Sequence, residues 1–199
     1  MYLANASTER VRAAMRAGAI GMMATPAEGR DPEPFPLWAA DNGCYGNGYP
    51  GDDAWIAWLT RHAPHAARCL FATAPDVVGD AWSTLSRSTP FLPIIRGLGY
   101  PAGFVAQDGA EDTGIPWDDV DALFLGGSTE WKQSEHAARL ANAARSHGKW
   151  VHMGRVNSWR RWQVAEAFGC DSCDGTYLAF GPDKLLPTVL GWTAQGALW

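Results

Sequence analysis

The chain has 199 residues, 47% hydrophobic and 19% charged, with a formal net charge of -5. That balance fits one globular domain over residues 1–199 with a sizeable core, and it excludes a global basic field of the kind that holds nucleic acid indiscriminately. No apolar run approaches the ~20 residues of a membrane-spanning helix, and residues 1–7 are too short and too polar for a secretory leader, so a soluble cytoplasmic protein is expected.

Residues 2–6 read as a first strand, and Ser7-Thr8-Glu9 marks the start of a helix over 8–16. A second strand over 20–25 runs into 26–36, whose Pro, Asp and Glu content predicts a loop in place of a helix. The third strand, 37–41, ends in Asp41; glycine-rich 45–50 is another loop, and Asp52-Asp53 opens a helix over 53–62. A strand over 69–74 is followed by Asp76, then by one long helix over 81–97. The strand at 103–108 ends in Asp108, and the strand at 122–127 ends in Gly126-Gly127. A helix over 134–147 stops at Gly148, a strand follows over 150–155, a helix over 158–168 stops at Gly169, and a last strand over 170–175 contains Asp174.

Eight strands alternating with helices predict an α/β fold, a compact (βα)8 TIM-type barrel with some helices reduced to loops, since about 250 residues is the usual size. A doubly wound open sheet is the competing architecture. In either one, ligands bind at the carboxyl ends of the strands, so Asp41, Asp76, Asp108 and Asp174 converge on one face. Taken singly, each Asp is more often a turn former. Together, crowded carboxylates repel one another and separate into an ionised nucleophile and a proton carrier, the pair that glycosyl transfer needs. Clustered carboxylates also bind magnesium, so a metal reading stays open at this point.

The four cysteines fit a reducing compartment, and Cys170-x-x-Cys173 lacks the second Cys pair of a zinc site; no cofactor or metal is expected from these residues. Gly126-Gly127-Ser128-Thr129-Glu130 between a strand and a helix offers backbone amides to a phosphate or a base edge, or is simply a tight turn. There is no P-loop, dinucleotide fingerprint or Gly-x-Ser-x-Gly elbow. The 11 Trp go to core filling, to a dimer interface, or to platforms for flat ligands, with Trp131 and Trp159 as candidates for the last.

At these strand ends the sequence resembles the guanine transglycosylase superfamily, especially its short phage members that insert 7-deazaguanines into DNA. Ala40-Asp41-Asn42-Gly43-Cys44-Tyr45 is similar to the family's Thr-Asp-Ser-Gly-Gly-Tyr/Phe, and Phe104-Val105-Ala106-Gln107-Asp108 to its Val-Met-Ala-Phe-Asp. Leu125-Gly126-Gly127 is similar to the base-binding Gly-Gly, His152-Met153-Gly154 to Leu-Met-Gly, and Gly169-Cys170-Asp171-Ser172-Cys173-Asp174 to Gly-Ile-Asp-x-Phe-Asp. The resemblance implies Asp174 as nucleophile and Asp41 as general acid/base. It also implies Asp108 holding the guanine edge, backbone bonds from Gly126 and Gly127, and Tyr45 and Met153 on the two faces of the base. Asn42 and Asp76 complete the expected substrate-binding set, and Lys132, Arg155 and Arg160 are the candidates for phosphate contacts.

The implied substrates are DNA and a free 7-deazaguanine base, and a homodimer or a helper protein is left open. The three-Cys, one-His zinc set of the tRNA enzymes has no counterpart beyond Asp174, which favours DNA or a small substrate over tRNA. An N-glycosidase or glycoside hydrolase using the same carboxylates, or a non-catalytic nucleic-acid-binding subunit, are the alternative functions.

Overall fold

The computed structural model describes residues 1–195. Eight strands form in chain order: β1 (Tyr2–Ala4), β2 (Gly21–Ala24), β3 (Trp38–Ala40), β4 (Cys69–Thr73), β5 (Ala102–Ala106), β6 (Ala122–Leu125), β7 (Trp150–Met153) and β8 (Ser172–Asp174). Each pairs in parallel with the next, and β8 returns to β1 through Tyr2 opposite Cys173 and Leu3 opposite Asp174. That last pairing closes the barrel and excludes the open sheet. All eight expected strands are present, each a little shorter than its apolar run.

The helices are α1 (Glu9–Arg16), α2 (Asp52–His62), α3 (Ala81–Ser88), α4 (Phe91–Gly97), α5 (Ala110–Thr113), α6 (Glu135–Ser146), α7 (Trp159–Ala167) and α8 (Pro182–Gln195). Side-chain oxygens start several of them: Thr8 accepts from the Val11 amide, Asp80 from Ser83, Ser134 from His136 and Ser158 from Arg161. The single long helix expected over 81–97 is two, because Pro90 brings no N–H to the helical ladder. Between β2 and β3 stands only the short 3-10 turn Pro26–Glu28, the expected loop in place of a helix. Among the described residues no helix is long and apolar enough to cross a membrane.

Side chains alternate between two packed layers. Leu3, Met23, Ala39, Phe71, Val105, Ala122 and Phe124 fill the barrel interior, while Tyr2, Met22, Trp38, Leu123, Val151, Met153 and Cys173 face the helices. Most of the described tryptophans are spent in that outer layer. Trp55 stacks on Trp58 at 5.3 Å, Trp38 meets Trp58 edge-on, and Trp192 of α8 packs against Tyr2, Trp162 and Tyr177. α8 seals the outer surface over β1 with buried Leu186, Val189 and Trp192.

Candidate active site

Because every strand runs the same way, their carboxyl ends open on one face, and a cavity of about 370 Å³ lies there. Asp41, Asn42, Tyr45, Asp76, Gly126, Arg155 and Asp174 all line it. The two carboxylates most remote in sequence, Asp41 and Asp174, therefore share one chamber, within the size range of pockets for small molecules.

Their environments differ. Asp41 accepts a hydrogen bond from the Gly43 amide at 3.1 Å, but burial, then the neighbouring charges of Asp174, Asp76 and Glu28, push its carboxyl up to about 7. Asp174 Oδ1 lies 3.0 Å from Nε2 of His152 and accepts from the Arg155 amide at 3.3 Å. Asp76 is nearly fully buried and accepts from the Asn42 and Gln107 side-chain amides at 3.0 and 2.7 Å. Burial still raises its pKa. Asn42 in turn donates to Ala74 O and accepts from the Cys44 amide, so Asn42, Asp76 and Gln107 form a satisfied buried network that stiffens one wall. On the opposite wall, Asn157 lines the cavity, and its Oδ1 is buried with no hydrogen-bond partner among the described residues.

Arg155 ties the rim together. Its φ of 59° is the left-handed conformation, seen at no other non-glycine position among the described residues, and it aims the side chain back over the cavity. Its guanidinium donates to the carbonyls of Gly126 and Gly127 and lies 4.2 Å from the centre of the Tyr45 ring. One face of Tyr45 is thus occupied by Arg155.

No protein-family model matches this chain, and no curated protein matches it.

Five sequence-based assignments need correction, and Arg160 lies elsewhere. Met153 is wholly buried in the helix-facing layer, so it cannot stack on a base in the cavity; the neighbours that point inward from β7 are His152 and Gly154. Asp108 also faces away from the chamber. Its carboxylate accepts from the Ser128 amide and holds the turn after β6, and Gln107 is the residue of that segment that lines the cavity. The Gly126 and Gly127 amides both donate to Ala106 O, at 3.0 and 3.2 Å, and are not free for a base edge or a phosphate. Lys132 is fully buried, donating to Gly154 O at 2.6 Å, and burial pushes its ammonium down to about 7, so it cannot reach a phosphate. Arg160 is exposed on α7, outside the cavity. Trp131 is 8% exposed and donates to Glu111, which removes it as a stacking platform.

Sequence reasoning missed His152 and Gln107. The signal that finds them is strand parity: counting back by two from Gly154 gives His152, and counting forward by two from inward-facing Val105 gives Gln107.

Proposed function

We propose that this chain is a DNA-guanine transglycosylase that exchanges guanine for a 7-deazaguanine base through a covalent glycosyl-aspartate intermediate. The observation that supports the reading is that Asp41 and Asp174 line a single cavity in different surroundings. A carboxyl raised to about 7 exchanges a proton near neutrality, as a general acid/base must.

In this reading Asp174 attacks C1′ of the target nucleotide as the C1′–N9 bond breaks, and the electron pair leaves with the guanine. Asp41 gives its proton to the departing base. N9 of the entering 7-deazaguanine then attacks C1′, the Asp174–C1′ bond breaks, and the Asp41 carboxylate takes the N9 proton. Two inversions give net retention, and the proton ledger returns to its start. The target nucleotide must be extruded or single-stranded, and extrusion costs about a few kcal/mol. The Tyr45 ring stands on the cavity wall as a partner for its base.

The test is incubation of the protein with single-stranded and duplex DNA and a labelled 7-deazaguanine, followed by nucleoside mass spectrometry. Incorporation is expected for the natural chain and is expected to be lost in Asp174→Asn and Asp41→Asn, with the circular-dichroism spectrum retained. Incorporation by Asp174→Asn would overturn the mechanism. Release of free guanine without any entering base, at the same rate, would assign the carboxylates to hydrolysis instead.

A further inference from the structure

Beneath the cavity, the barrel interior holds an imidazole where apolar side chains are the rule. His152 is fully buried, with the Phe71 and Phe124 ring centres at 5.0 and 4.4 Å. Its Nδ1 lies 2.8 Å from Ser172 Oγ, and its Nε2 lies 3.0 Å from Asp174 Oδ1. Ser172 Oγ also accepts from the Trp150 indole Nε1 at 2.8 Å.

We propose that Trp150, Ser172 and His152 form a hydrogen-bonded chain that fixes the protonation pattern of the imidazole and aims Asp174, making His152 a positioning residue for the nucleophile. The proposal rests on the reading of Asp174 given above.

The direction of the chain follows from counting protons. An indole N–H only donates, so Trp150 occupies one lone pair of Ser172 Oγ. The single hydroxyl proton then has one acceptor within reach, His152 Nδ1. That nitrogen must carry a lone pair, so the imidazole proton sits on Nε2 and points at Asp174 Oδ1. The other neutral tautomer would set a nitrogen lone pair against a carboxylate oxygen. The imidazolium would make Ser172 accept twice and leave its own proton without a partner inside the barrel. Burial of the ring also disfavours the imidazolium.

The consequence lies at Asp174. Oδ1 is held by His152 Nε2–H and by the Arg155 amide, while no hydrogen bond reaches Oδ2 among the described residues. Oδ2 is the oxygen left to attack, and its direction is set by a ring that cannot turn between two aromatic neighbours.

The test has two readouts. In ¹⁵N-histidine-labelled protein, the His152 nitrogens are expected to show a protonated Nε2 and an unprotonated Nδ1, and Ser172→Ala is expected to mix the tautomers. A protonated Nδ1 in the natural chain would overturn the proposal, whether or not exchange activity is found. In the exchange assay, His152→Phe is expected to lower kcat about 10- to 100-fold, as for loss of a hydrogen bond to a charged group, with KM for the free base little changed. His152→Gln, which restores an N–H donor toward Asp174, is expected to recover part of that loss. Full activity in His152→Phe would overturn the positioning role and leave Asp174 as nucleophile intact. Full activity in Asp174→Asn would instead defeat the functional reading on which the role rests.

Discussion

Asp41 is a residue whose acidity its surroundings alter strongly. An unfolded aspartate loses its proton near pH 4, whereas burial and the nearby acids hold the folded one to about 7. Between those values the folded chain keeps a proton that the unfolded chain has released, so stability falls as pH rises through this window and is level above it. Asp41→Asn carries no such proton. It is expected to match the natural chain in urea unfolding at pH 4 and to exceed it at pH 8, by up to about 4 kcal/mol for a difference of about three pH units. The same carboxyl predicts that exchange activity falls on the alkaline side with a midpoint near 7, because the departing base needs the protonated acid. A rate flat from pH 6 to 9 would remove Asp41 from that role.

At the scale of elements, the connection from β6 to α6 carries much of the site's rigidity. Gly127 has φ 26°, and a Cβ there would lie 2.4 Å from Trp131 Cε3 and 2.7 Å from Asp108 Oδ1. The turn has no room for one, since Trp131 is packed and Asp108 is bonded to Ser128. Gly127→Ala is therefore expected to cost about 1–3 kcal/mol by denaturant midpoint and to release the Arg155 guanidinium from the Gly126 and Gly127 carbonyls. The Gly126-Gly127 pair was visible in the sequence as a tight turn, but its amides and carbonyls prove to be consumed within the protein.

That contrast marks how far the sequence reached. The strands were legible because each is a short apolar run, and Asp41, Asp76 and Asp174 because an acid after such a run lies at the open end of a parallel sheet. α8 was not, since Pro187 and Gly191 interrupt a pattern whose buried face, Leu186, Val189 and Trp192, emerges only on the finished barrel. Met153 and Asp108 were misplaced because motif order ignores which way alternate side chains point. Lys132 was misplaced because only tertiary packing can bury a lysine against Gly154 O.

For the whole molecule, the proposed DNA substrate raises the question of how a chain of net charge -5 would hold a polyanion. The large aromatics left exposed offer an answer that needs little charge. Tyr45 is 63% exposed, Trp82 65%, Phe180 83% and Trp159 37%, and they sit on the connections that follow β3, β4, β8 and β7 respectively. All four therefore lie at the carboxyl-end rim. In the closed ring, β3 and β4 stand opposite β7 and β8, so the aromatics form two groups facing each other with the cavity between. A strand laid across the mouth would place the target base in the cavity and stack a flanking base on each side, and stacking is worth about 1–3 kcal/mol per base. Trp82→Ala and Phe180→Ala are expected each to weaken binding of a labelled single-stranded oligonucleotide by that amount in fluorescence anisotropy, without changing the fold. With few phosphate contacts, the salt dependence of the natural chain's affinity is expected to be shallow. Unchanged binding in both variants, or a steep salt slope, would mean that the rim is not the platform and that cations elsewhere hold the strand.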